Sequence, residues 1–332
     1  MKKLYLSLIG CALMMSMATA AQAQTIRRVN NTGVTGANVY TTAQAAHDAA
    51  APGDIIQLDP SSADYGGLTC SKNVKVVGPG YFLDRNPGLQ TLTASARLAN
   101  VVFTLTSAGA SMAGVTIIGQ SELGASGLVF ERNYAVGGIT IGNRTASTTN
   151  TTVRQNFAES VTLTGANAQN ISRTDVYVAN NIIRQGVYLQ SGAFDAVTGV
   201  FVNNTSLASS YFEEFNVQNN YFGSAVTTTG GVVSYNVGAR ADLGTGNNNQ
   251  INVPITAVFL PPVGGEYDGQ WQLKGGTNPA RGAGTGGTDV GAFGGTNPYK
   301  LSGIPAIPSI YEYNQTLNGA QLQVTLSTRA NN

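Results

Sequence analysis

One histidine, two cysteines and a thin scatter of carboxylates are all that this 332-residue chain offers to acid–base, metal or nucleophilic chemistry. His47 sits in an Ala-rich stretch where no motif places an acid or nucleophile beside it, so it reads as a helix-surface residue. Cys70, with no His, Lys or Arg motif around it, reads as a small buried apolar side chain. Among the charged residues, Asp175 lies near Arg173 and Arg184, Asp195 stands apart, and Glu213-Glu214 falls between Phe212 and Phe215. Such charges are normally solvated or loosely paired. Tyr177, Tyr188 and Tyr211 carry flat phenol rings able to line a sugar-stacking groove. The candidate binding set is therefore Tyr177, Tyr188, Asp175, Arg173, Arg184, Glu213 and Glu214, with no catalytic residue, metal ligand or cofactor assigned.

Two glycine-rich matches carry no chemistry. Gly282-Ala-Gly284-Thr-Gly-Gly287 spells a dinucleotide fingerprint, but lacks the preceding strand, the following helix and the acidic residue that phosphate binding needs. Gly286-Gly-Thr-Asp289 is a single copy of a calcium-repeat pattern, too few oxygens for calcium, and Asp289 reads as a turn residue closing the last coil.

The elements that must position these residues are written in a repeat. An apolar residue, two variable ones and an Asn recur as Phe130–Asn133, Val153–Asn156, Val178–Asn181, Phe201–Asn204, Val217–Asn220 and Val233–Asn236, with Asn spacings of 23, 25, 23, 16 and 16. A recurrence of this length without helical periodicity predicts a β-solenoid, each turn placing an apolar residue at the same angle as the turn below. Asn133, Asn156, Asn181, Asn204, Asn220 and Asn236 are expected to form a structural ladder. An Asn at the bend tolerates the left-handed backbone, and its amide pairs turn groups of neighbouring coils. The following column, Tyr134, Phe157 and Ile182, is expected to pack inside, and the preceding one, from Arg132 and Gln155 to Tyr235, to face solvent.

Thr41–Gly53 reads as a short helix with a Thr N-cap, an Ala-rich interior and a Pro-Gly stop, covering the open solenoid end. Short β-branched runs follow, from Val74–Val77 to Val232–Val233. Coils running from about Val74 to Phe293 at roughly 20–22 residues each number about ten and make a rod of roughly 50 Å. Gly244–Asn252, with Asn247-Asn248-Asn249, reads as a flexible loop, Gly282–Gly295 as a closing segment, and Ile304–Asn332 as a tail or small cap with a final strand at Leu322–Leu326. The expected domains are a signal peptide at 1–23, a β-helix with its N-terminal cap at 24–295, and a C-terminal tail or cap at 296–332.

Lys2-Lys3, the apolar run Leu4–Ala18 and the small-residue site Ala21-Gln22-Ala23 read as a secretory signal cleaved before Gln24. A lipidated Cys11 would leave too short an apolar run before it. Without these 23 residues the chain has 309, with 16 basic and 17 acidic, so nothing basic suggests nucleic acid. With Cys70 alone remaining, no intrachain disulfide can form. No other segment reaches the ~18 apolar residues of a membrane span.

The cap ending Ala51-Pro-Gly-Asp54, the Val76-Val-Gly-Pro-Gly-Tyr-Phe-Leu83 turn, the Asn-bearing coils and Gly287-Thr-Asp-Val-Gly-Ala-Phe-Gly-Gly295 together resemble bacterial secreted right-handed parallel β-helix proteins of the pectate-lyase-like superfamily. The resemblance spans Asn38 to Tyr313 and implies an all-β, right-handed parallel β-helix. A lyase site of that superfamily would need acidic residues stacked on adjacent coils to hold calcium, with a nearby Arg or Lys as base. The column two before each ladder Asn reads Glu131, Arg154, Ala179, Val202, Gln218 and Ser234, which is no acidic stack. The reading that asks for no missing residue is an exported, non-catalytic cell-surface or extracellular binding module with polysaccharide or surface components as partners. The alternative is a polysaccharide lyase or glycoside hydrolase on the same scaffold.

Overall fold

The structure is a computed structural model describing residues 24–164, 171–189, 196–260 and 265–331. The signal-peptide expectation and Asp195 lie outside the described residues. Each pass of the chain adds one strand to one side of a solenoid and one or two to the other. Among the described residues an 11-stranded parallel sheet runs from Val39–Tyr40 and Ile26–Val29 through Ile55–Leu58, Ser111–Ala113, Thr148–Arg154, Ser172–Ala179 and Ala196–Val202 to Val233–Ser234. A second sheet, of 14 strands, takes up the chain after each bend. The protein is a parallel β-helix with a short N-terminal helix. The β-branched runs that predicted it supply the inner surface, where Phe130, Val153, Val178, Phe201 and Val217 join one core. Each stacks on its counterpart in strict register, Phe130 on Val153 and Val178 on Phe201.

The ladder's bonds explain the repeated phrase. After Asn133, whose Oδ1 accepts from Val115 N, each Asn Oδ1 accepts from the backbone N–H of the preceding ladder Asn, as from Asn133 to Asn156 at 2.9 Å and from Asn156 to Asn181 at 2.9 Å. Its Nδ2 donates to the carbonyl of the apolar residue opening the previous copy, Asn156 to Phe130 and Asn181 to Val153, both at 2.9 Å. One amide thus satisfies the buried backbone groups of two coils. The ladder runs one rung further than the sequence reading: Asn249 Oδ1 accepts from Asn236 N at 2.9 Å, and Asn249 is buried. Gly244–Asn252 is therefore a last partial coil. The residue three before this rung is Gly246, which breaks the apolar phrase that marks the other rungs.

Three further expectations are corrected at the bend. The left-handed residue is the one before each Asn: φ is 54° at Arg132, 55° at Gln155, 54° at Asn180 and 59° at Asn219. Arg132, Gln155, Asn180 and Asn219 of that column are buried, and Asn203 and Tyr235 half-buried, rather than solvated. The chain from Thr285 to Ile304 returns along the bends as a strap, meeting them in reverse order. Thr285 N–H donates to Asn219 Oδ1 (3.0 Å), and Asn180 Nδ2 donates to the Ala292 and Gly294 carbonyls (3.0 and 2.8 Å). Gln155 Nε2 reaches the Pro298 carbonyl (2.7 Å) and Arg132 the Ile304 carbonyl (3.0 Å). The column after each Asn points outward, because side chains alternate along a strand and the Asn already points in. Phe157 and Ile182 pack with Ala292 and Tyr299 of the strap, and Tyr221 and Val237 with Val258, Phe259 and Val290.

At the first coil, helix α1 (Ala43–Ala49) is capped by Thr42, whose hydroxyl accepts from Ala45 N at 3.2 Å. Lys72 Nζ closes its other end on the His47, Asp48 and Ala50 carbonyls, each at 2.9 Å. His47 is not on the helix surface: it is 2% exposed, and its Nε2 accepts from Ser71 N at 3.0 Å. Beyond the strap, Ser309–Asn318 and Gln321–Arg329 form an antiparallel hairpin that stands off the body.

Candidate functional site

The first sheet's outer face carries an open groove of about 520 Å³ lined by Asp175, Tyr177, Thr198, Val200, Glu214 and Asn216. Its geometry follows from coil alignment. Tyr177, Val200 and Asn216 stand in register on Ser172–Ala179, Ala196–Val202 and Phe215–Gln218, each four residues before its ladder Asn and each pointing out. Two residues earlier, Asp175, Thr198 and Glu214 make a parallel polar row. Asp175 and Glu214 have φ of 54° and 56°, so the backbone bends there and lifts their carboxylates clear of the pleat. Gly199 forms the floor: a Cβ there would sit 2.3 Å from the Phe215 ring and 2.5 Å from the Val176 carbonyl. A flat ring that is 40% exposed, beside two carboxylates and an amide, can stack on a sugar face and accept from its hydroxyls.

Asp175, Tyr177 and Glu214 of the sequence-named set are thus together, and the others lie elsewhere. Asp175 Oδ2 accepts from the Thr149 hydroxyl at 2.9 Å. Arg173 is fully buried and donates to the Asn143, Ala146 and Ser172 carbonyls; burial pushes its pKa down to about 10. It braces a bend and is not placed to meet a ligand in the groove. Tyr188 is on the second sheet, in register with Tyr211, and the two rings stack at 5.4 Å with 12° between their planes. Glu213 ends a strand of that sheet, and Glu214 turns the corner to the first.

Arg184 also lies on the second sheet, between Glu266 (2.9 Å) and Glu159 (3.6 Å). Burial pushes the Glu266 carboxyl above its ordinary range; Arg184 pulls it down and Glu159 pushes it up. Among the described residues no group of three or more His, Cys, Asp or Glu is arranged to share a metal ion. Cys70 is buried, which pushes its thiol up to about 11. The sequence reading missed Thr198, Val200 and Asn216, although aligning the coils on the ladder and reading four and six residues back would have found both rows. Comparison with known protein families, curated proteins and solved structures finds no match for this chain.

Proposed function

We propose that this chain is an exported, non-catalytic β-helix of the pectate-lyase-like superfamily that serves as a cell-surface or extracellular binding module for polysaccharide. The observation that carries the reading is the groove, where exposed Tyr177 shares a row with Asn216 beside the parallel Asp175–Thr198–Glu214 row. A shallow, open site with one aromatic platform and several acceptors suits an extended polar chain better than a compact ligand, which calls for an enclosed apolar pocket. Export rests on Lys2-Lys3, the apolar run and Ala21-Gln22-Ala23, and N-terminal sequencing of secreted protein should begin at Gln24. A glycan array with the chain from Gln24 onward tests the function. Binding that Tyr177→Ala reduces about tenfold or more and Tyr188→Ala leaves unchanged supports the groove; no bound glycan, or equal loss from both variants, overturns it.

The alternative, a polysaccharide lyase or hydrolase, is favoured by one observation, the raised Glu266 beside Glu159 and Arg184. An absorbance assay for unsaturated uronates and a reducing-end assay address it. Turnover that disappears in Glu266→Gln and survives Tyr177→Ala would replace the binding reading with the enzymatic one.

A further inference from the structure

The hairpin Ser309–Asn318/Gln321–Arg329 is sorted by face. The register Tyr313–Leu326, Gln315–Val324 and Leu317–Leu322 puts these six residues on one side, and the pair Ile310–Thr328 extends that side. The pairs Glu312–Ser327, Asn314–Thr325 and Thr316–Gln323 form the other. The apolar side chains are open: Leu317 is 78% exposed, Leu322 60%, Leu326 56%, Tyr313 48%, Val324 46% and Ile310 43%. An isolated two-stranded hairpin is marginal in water, and strict alternation with one apolar face is the pattern of a sheet packed on something. Among the described residues the hairpin is hydrogen-bonded to the body at its base, by Thr91 N–H to the Ile310 carbonyl (3.0 Å) and Arg329 to the Leu89 carbonyl (2.6 Å).

We infer that this face is a self-association surface and that its occupant is the same face of a second copy, giving a two-fold pair of hairpins packed as a small sandwich. Charge argues for a copy over a lipid surface. Glu312 and Arg329 are the only charged side chains on the hairpin, whereas interfacial elements carry a basic flank. An isologous contact needs no charge complementarity, and this nearly neutral face meets that condition. Area agrees: the six open side chains offer roughly 650 Å² per copy, so about 1,300 Å² in all, above the ~1,000 Å² of a specific interface. No hairpin residue lines the groove, so two copies would bind a long glycan bivalently, but the pairing does not depend on that reading.

Sedimentation velocity of the chain from Gln24 onward tests the inference. At micromolar concentration the mass is expected to be twice that of the monomer. L317K/V324K should be monomeric, while T316K/T325K, which alters the opposite face, should stay dimeric. Circular dichroism spectra of all three at about 25 °C should coincide, showing that each is folded, while the two dimers melt at a midpoint that rises with protein concentration. A wild-type monomer throughout the range, a dimer that survives L317K/V324K, or equal disruption by T316K/T325K would each overturn it. So would a wild-type monomer that floats with phosphatidylcholine vesicles, which would assign the face to lipid.

Discussion

A ladder amide is constrained on both of its atoms, so its loss is felt in two coils. Asn181 accepts from the Asn156 backbone N–H and donates to the Val153 carbonyl, both at 2.9 Å and fully buried. Asn181→Leu is expected to cost about 1–3 kcal/mol, the range for stranding buried partners. Asn249→Leu should cost about 1–2 kcal/mol by the same loss at the ladder's more open end. Urea midpoints measure both, and an unchanged Asn249→Leu midpoint would end the ladder at Asn236. His47 predicts a pH effect. Burial is the main cause holding its pKa below the ordinary value, and its Nε2 lone pair accepts the Ser71 N–H. The unfolded chain takes up a proton first, so stability is full above about pH 6.5 and declines as pH falls toward the folded pKa. In His47→Gln that decline should be absent from melting midpoints measured between pH 7 and 5.

The strap is an element held by bends rather than by strand pairing. Asn180→Gly keeps the left-handed backbone available while deleting the bonds to the Ala292 and Gly294 carbonyls. The expected loss is about 2 kcal/mol, two net hydrogen bonds, with faster protease cutting near residues 282–300. Equal cutting of variant and wild type would show that these bonds do not hold the strap. The sequence made the coils legible because a fixed phrase recurs wherever a buried amide must reach the same backbone groups. It did not reveal the strap, since Gly282–Gly295 binds through carbonyls and N–H groups, which every residue owns and no side-chain pattern announces. The cover it provides was written on the opposite surface: aromatic Tyr134, Phe157 and Tyr221 belong to a column that alternation turns outward. The groove was half legible, in Asp175, Tyr177 and Glu214, because proximity in sequence does not say which sheet a residue faces; Arg173 was turned inward and Tyr188 to the other sheet.

At the scale of the molecule, the strap brings the polypeptide back to the coil on which it started. Gln24 Nε2 bonds the Gly53 carbonyl at 2.7 Å, and Ile307–Ile310 lines one cleft with Gln57–Pro60. Residues 24 and 331 therefore leave from the same end of the rod. Tension applied between them loads the first coil and the hairpin base, then peels the strap from the Arg132 bend toward the Asn219 bend. In an optical trap gripping residues 24 and 331, the first event should release about 170 Å of contour, the reach of roughly 50 residues from strap and hairpin. A single all-or-none extension would show that strap and coils yield together. Pulled from that end, the molecule would unzip bend by bend, giving up its strap before any coil yields.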